Sequence, residues 1–164
     1  MDRPIVGFEP DAEGDWVAYL SCGHRQHVRH EPPFLNREWV VSEEGRNSRI
    51  GASLPCLQCD RMEMPADFIA YSRTPIFTAE TVPKELTRDH TTKAGIWARI
   101  VVLEGRLRYH VALLENALEL GENDSATVVP EVPHSVEPLG AVRFYVEFFR
   151  APAIRGSSPT TDPS

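Results

Sequence analysis

The 164-residue sequence is short of cysteine, of cations and of long apolar runs, and each shortage removes a class of protein. Three cysteines, Cys22, Cys56 and Cys59, are an odd number that cannot close into a full disulfide framework. Metal ligation or redox chemistry is the better question for them. With 17 basic against 24 acidic residues the net charge is −7, which argues against bulk binding to nucleic acid or to an anionic membrane. No uncharged apolar stretch is long enough to span a bilayer, and mean hydropathy is −0.30. The start, MDRPIVGFEP, lacks the basic flank and apolar core of a secretory signal, so a cytoplasmic location without membrane partners is expected. GxGxxG, P-loop, HExxH and GxSxG motifs are all missing, so no nucleotide-binding, zinc-protease or serine-hydrolase signature is on offer.

Proline is abundant, at 14 residues, which favours short strands and turns over long helices. The length allows one domain or two small ones. Composition changes across residues 60–67, DRMEMPAD, by which point every cysteine and three of the 6 histidines have been used. A boundary after Met62 is expected, with a first module at 1–62, a second unit at 63–152, and a Pro-, Ser- and Thr-rich tail at 153–164 that has little to bury and should be disordered.

In the first module, residues 5–8 and 16–20 read as two strands joined by the turn EPDAEGD, and Ser42 caps a short helix with Glu43 and Glu44 in its first turn. A unit of this size is marginal for an apolar core alone and needs a staple. Cys22-Gly23-His24 ends the second strand, and Cys56-Leu57-Gln58-Cys59 follows Pro55. Two thiolates at CxxC spacing grip one Zn²⁺ from a tight turn, and a Cys plus an imidazole from a second turn complete a tetrahedral set. In HRQHVRH the histidine could be His24, His27 or His30, with His24 first and His27 second. Arg25 and Arg29 share a face with His27 if this stretch is extended, which would form a local anion-binding patch or a solvated polar strand.

The second unit is strand-rich. Residues 96–103 and 107–111 read as two strands around the turn LEGR, followed by strands at 126–129, 135–137 and 142–149, a spacing that suggests a mainly β sandwich or barrel. In RLRYHV, Arg106, Arg108 and His110 share one face, so His110 should meet solvent. His90 and His134 stand at strand ends, where they can converge in a barrel mouth and hold a divalent metal with a carboxylate as third ligand. Val142, Phe144, Val146 and Phe148 form one apolar face, leaving Glu147 on the other.

Two resemblances sharpen these readings. The stretch from GFEPDAEGDWVAYLSCGHRQHVRH to LPCLQCD, about residues 4–60, resembles a small uncharacterised bacterial domain family marked by GDWVAxLxCGHxQHVRHxPP and a later CxxC. That resemblance implies that Cys22, His24, His27, His30, Cys56 and Cys59 belong to one module. Residues 65–152, through TVPKELTRDH, KAGIWARIVVLEGRLRY, VVPEVPH and FYVEFF, resemble the cupin-like domain of YeaR/TehB-type tellurite-resistance proteins. This implies a β-barrel of the double-stranded β-helix or jelly-roll type. Its mouth would hold a metal of unassigned identity on His90 and His134, with Glu147 as a third ligand and Arg99 and Trp97 facing a bound ligand. The HxH of ordinary cupins is missing, because Thr92 stands two residues after His90. In the tellurite-resistance methyltransferases a similar domain precedes a methyl-transfer domain, whereas this chain ends soon after the barrel, so methyl transfer is not expected.

The expected function is a metal-binding, cupin-like protein that takes a small anionic ligand or oxyanion in a stress response of the tellurite, nitrosative or oxidative type. Two alternatives stand beside it. One is a metal-dependent small-molecule enzyme, hydrolytic or dioxygen-using, and the other is an interaction or nucleic-acid-binding module built on the zinc unit. A homodimer through the barrel is an open expectation.

Overall fold

The computed structural model describes residues 1–153 and is mainly β. Apart from Ala153, the expected tail lies outside the described residues. A four-stranded sheet comes first, built from β1 (Asp2–Pro10), β2 (Trp16–Leu20), β3 (Arg25–His27) and β4 (Ser53–Pro55) in the order β3-β2-β1-β4. Its β1–β2 pair is the antiparallel hairpin expected around EPDAEGD. Asp11 closes that turn by accepting the Glu13 and Asp15 amides on Oδ1, each at 2.9 Å. The short helix α1 (Glu43–Asn47) is capped by Ser42, whose Oγ accepts the Gly45 amide at 3.0 Å. The CxxC sits on a second short helix, α2 (Leu57–Asp60), which opens at Cys56.

A six-stranded sheet follows. β5 (Ile69–Arg73), β10 (His134–Arg150), β7 (Trp97–Val111) and β8 (Leu118–Leu120) run in the order β5-β10-β7-β8, with β6 (Phe77–Thr78) paired to β10 and β9 (Ser125–Val128) paired to β7. The turn read at LEGR is not a turn. β7 runs unbroken through 15 residues against the 17 of β10. The burial rhythm shows how: Ala98, Ile100 and Val102 are buried, then Leu107, Tyr109 and Val111, so the period of two slips by one residue between the sets. The ladder slips at the same place, between Pro138 and Val142 and between Arg143 and Phe144. Gly105 sits in that bulge at φ 80°, where a Cβ would stand 2.0 Å from the Ala141 carbonyl oxygen, so the turn-forming residue serves a bend inside a paired strand.

The two sheets share one core. Ile5, Ala18, Leu20 and Cys22 of the first part belong to the same buried cluster as Trp97, Ile100, Tyr109 and Phe144 of the second. No helix among the described residues is long and apolar enough to cross a membrane.

Candidate metal centre and ligand cavity

Cys22 leaves β2, Cys56 and Cys59 flank the first turn of α2, and His24 follows the Gly23 corner. Together they form a fully buried cluster whose ligand atoms lie within 4.8 Å of one another. His24 Nδ1 is 3.3 Å from Cys22 Sγ, 3.3 Å from Cys56 Sγ and 3.6 Å from Cys59 Sγ, and Cys22 Sγ is 3.9 Å from Cys56 Sγ. A tetrahedral Zn²⁺, with bonds of about 2.3 Å to sulfur and about 2.0–2.1 Å to nitrogen, sets N···S edges near ~3.6 Å and S···S edges near ~3.8 Å. The four side chains already stand on such a tetrahedron.

The imidazole tautomer fits as well. His24 Nε2 lies 2.7 Å from the Glu63 carbonyl oxygen, which can only accept, so Nε2 carries the proton and Nδ1 turns its lone pair towards the three sulfurs. Without a cation the thiols hold one another in check. Hydrogen bonding to Cys22 and then burial push Cys59 up to about 12, burial pushes Cys56 up, and the bond from Cys59 pulls Cys22 down. A dipositive ion removes that conflict by taking all three as thiolates.

Neither alternative histidine joins the cluster. Strand β3 pairs with β2 so that His27 is turned out to Asp11, at 3.0 Å, while His30 Nδ1 accepts the Arg37 amide at 3.0 Å. Arg25 and Arg29 are paired with Asp67 and Asp15, at 3.2 and 3.3 Å, so the expected basic patch is largely neutralised.

Phe68 and Arg3, which carry no motif in the sequence, support the cluster together with Gly23 of the Cys22-Gly23-His24 corner. Gly23 adopts φ 92° against the Phe68 ring, where a Cβ would lie 2.2 Å from Cζ, so the knuckle closes only on glycine. Phe68 thus supports the turn that aims Cys22 and His24. Arg3, in phase with the buried Ile5 on β1, is itself buried. It donates from Nη2 to the Pro130 carbonyl oxygen at 2.7 Å, pairs with Glu131 at 3.3 Å, and holds Cys59 down, against the stronger effects that raise it. A cation among the apolar residues of an alternating strand was the signal that could have found it.

The second site is a cavity of about 540 Å³ in the larger sheet. Ile100, Val128, Phe144 and Val146 are among its buried walls, with Thr91, Lys93 and Arg150 at its exposed margin. His90 and His134 both line it and meet as a backbone bridge, each amide donating to the other's carbonyl oxygen at 3.0 Å. Their ring centroids are 4.1 Å apart. Each ring donates from Nδ1 to a backbone carbonyl oxygen at 2.9 Å, His90 to Arg88 and His134 to Val132. In its neutral form each ring therefore keeps its lone pair on Nε2. Burial, and to a lesser degree His90, bring His134 down to about 4, so at neutral pH it is an uncharged acceptor.

The other expected barrel residues fall elsewhere. Trp97 does not line the cavity: it is fully buried, its Nε1 donates to the Cys22 carbonyl oxygen at 2.7 Å, and its ring meets His24 edge-on at 5.4 Å. Arg99 is exposed over the Phe149 ring and stands opposite Glu147 in the β7–β10 register. Neither lines the cavity, because Ala98, Ile100, Val146 and Phe148 take the cavity face and alternation sends their neighbours to the other. The expected set of His90, His134 and Glu147 is thus not assembled, and among the described residues no carboxylate lines this cavity. His110 is exposed beside Glu137, at 3.4 Å, as its strand phase required.

Comparison with known proteins matches two separate stretches of the chain to different families. Residues 6–63 match the family described as a protein of unknown function, DUF3565, and residues 72–146 match the TehB-like domain. The chain thus has one stretch similar to DUF3565 followed by one similar to the TehB-like domain. Over 82 residues it is 30% and 29% identical to the probable S-adenosyl-L-methionine-dependent methyltransferase TehB of two strains of Haemophilus influenzae. Those matches cover 46% of this chain and 28% of each relative, so the chain corresponds to under a third of the curated relatives' length. Among solved structures, a protein from E. coli K12 aligns with TM-score 0.52 at 21% identity over 62% of this chain and 98% of that one, a likeness of fold. TehB of Haemophilus influenzae aligns with TM-score 0.49 at 24% identity over 52% of this chain and 32% of that one.

Proposed function

We propose that the chain is a small-molecule-binding protein in which a zinc ion on Cys22, His24, Cys56 and Cys59 staples the DUF3565 segment, and the cavity of a cupin-like TehB-like domain receives a small anionic ligand in a cytoplasmic stress response of the tellurite, nitrosative or oxidative type. The observation that carries the ligand reading is the pair of imidazoles, each with Nδ1 fixed on a backbone carbonyl, in the wall of a largely apolar cavity, with cationic side chains and no carboxylate among the described residues around it. The zinc is structural: all four positions of the tetrahedron belong to the protein, which leaves none for substrate. What the ion supplies there is folding free energy for a segment with little core of its own. Two imidazoles without a third protein donor do not close a metal site, so a barrel metal forms no part of this reading. Methyl transfer belongs to the named relatives, of which this chain matches only a fraction.

The test is metal content combined with ligand binding on the purified chain. About one zinc per chain is expected, lost in Cys56→Ser together with the fold of the first sheet. A metal-free chain with native β-sheet structure would overturn the staple.

A further inference from the structure

The cavity is graded in polarity, and the gradient carries information about what fits. Its floor is made of buried aliphatic and aromatic side chains, among them Ile100, Val136, Phe144 and Val146. The polar groups lining it inside the margin are His134, buried, and the half-buried His90, Thr74 and Thr92; each imidazole has Nδ1 committed to a backbone carbonyl, and the threonine hydroxyls donate to the Pro75 and Ile96 carbonyl oxygens. At the margin stand Lys93, Arg150, Thr91 and Ser72, with the Arg150 guanidinium 4.4 Å from the centre of the Tyr71 ring. The cavity therefore offers apolar walls, a pair of acceptors at depth and cations at the rim.

A hydrated inorganic oxyanion is a poor match. It would exchange water for aliphatic walls and find at depth the uncharged acceptor nitrogen of His134, which repels an anion's own lone pairs, and hydroxyls already committed to backbone carbonyls. An organic molecule with its charge at one end satisfies every wall. Its apolar body lies against the floor, and a hydroxyl or N–H at the far end donates to Nε2 of the imidazole pair. Its carboxylate or equivalent stays at the rim with Arg150. We infer that the cavity selects small amphipathic organic acids carrying a hydrogen-bond donor at the end remote from the acid group. This rests on the ligand reading of the cavity given above and narrows its chemical class.

The experiment uses the full zinc-loaded chain, isotope-labelled, and follows the amide signals of Ile100 and Val146 while four probes are titrated in. These are 4-hydroxyphenylacetate, phenylacetate, tyramine and tellurite. The hydroxy acid should bind most tightly. Phenylacetate, which lacks the donor, should bind about tenfold more weakly, the scale of one hydrogen bond to a buried acceptor. Tyramine, with the charge reversed, and tellurite should leave the cavity signals in place. Arg150→Gln should weaken both acids about tenfold, while Arg108→Gln, which lies outside the cavity beside Glu137, should change neither. Equal binding of phenylacetate and its hydroxylated analogue would overturn the donor requirement. Binding of tyramine on a par with the acids, or of tellurite in preference to them, would overturn the class and leave a ligand cavity standing. Silence from all four probes at millimolar concentration would remove the ligand reading itself.

Discussion

His134 makes a quantitative statement about stability and pH. Burial is the main reason why its folded form titrates at about 4, against an ordinary value of 6.5. His90 lowers it further, while the Val132 carbonyl and Asp89 raise it. Because the unfolded chain takes up the proton first, stability falls as pH drops below the unfolded value and keeps falling until the folded value is passed. The contribution is complete above pH 6.5 and lost by about pH 4. At about 1.4 kcal/mol per unit, the window is worth about 3 kcal/mol. For a domain with a total stability of about 5–15 kcal/mol this is a large share.

The perturbation that isolates it is His134→Asn, since the asparagine amide keeps an N–H donor for the Val132 carbonyl and does not titrate. Urea unfolding free energies, measured at intervals from pH 7.5 to 4 on both proteins, should converge as pH falls. The wild type should lose about 3 kcal/mol more than the variant. Acid also competes for the thiolates and His24 of the zinc centre, so zinc content is measured at each pH and only points at which both proteins retain the metal are compared. Whatever His134→Asn costs in packing is a constant offset, so only the slope matters. Parallel curves across the window would refute the buried, neutral imidazole.

Two further substitutions probe the supports of the metal centre. Arg3→Met leaves the Pro130 carbonyl without its 2.7 Å donor and should destabilise the chain by about 2–3 kcal/mol, most of it from that orphaned acceptor because Glu131 is half exposed. Calorimetry should show a fall in Tm of about 5–10 °C, and an unchanged Tm would remove Arg3 as a link between the sheets. Gly23→Ala forces a Cβ onto the Phe68 ring and a side chain into φ 92°, so it should cost about 1–3 kcal/mol and weaken zinc retention against a competing chelator. Adding Phe68→Ala should restore part of that loss, since it relieves the clash but not the backbone conformation.

How far the sequence could be read depended on whether each feature was local. The β1–β2 hairpin and the Ser42 cap are set by residues within a few positions of each other, and both are where turn and cap chemistry put them. The cysteines announce themselves through the spacing of paired thiols. The choice among His24, His27 and His30 rests on the β2–β3 register and on the Glu63 carbonyl, some forty residues away, which HRQHVRH does not encode by itself. The strand break read at LEGR fails for the same reason. Gly105 has turn chemistry, and only the matching irregularity at Pro138–Val142 on the partner strand keeps it inside a ladder. Trp97, two residues before Arg99, invites a ligand-binding reading, but β7 turns both away from the cavity, where the indole donates to the Cys22 carbonyl and the guanidinium lies over Phe149. The apolar face of residues 142, 144, 146 and 148 was legible from alternation, and it placed Glu147 on the other side.

The three residues Pro130, Glu131 and Val132 tie the two sites together. The carbonyl of Pro130 and the carboxylate of Glu131 receive Arg3 from the first sheet, the Glu131 amide donates to Thr92 in the cavity wall at 3.0 Å, and the Val132 carbonyl accepts the Nδ1 proton of His134. Arg3 also faces Cys59, whose charge state changes when a metal binds. Loss of the metal should change the charge that Arg3 faces and, through the 130–132 segment, the anchor that orients the cavity imidazole. Chelation of zinc should shift the ring resonances of His134, more than 70 residues along the chain from the CxxC, and Arg3→Met should produce a similar shift with the metal still bound. His110, exposed and outside this chain of contacts, should stay in place in both experiments. If chelation unfolds the first sheet while the His134 resonances do not move, the two sites are neighbours without being coupled, and the zinc centre serves its own segment alone.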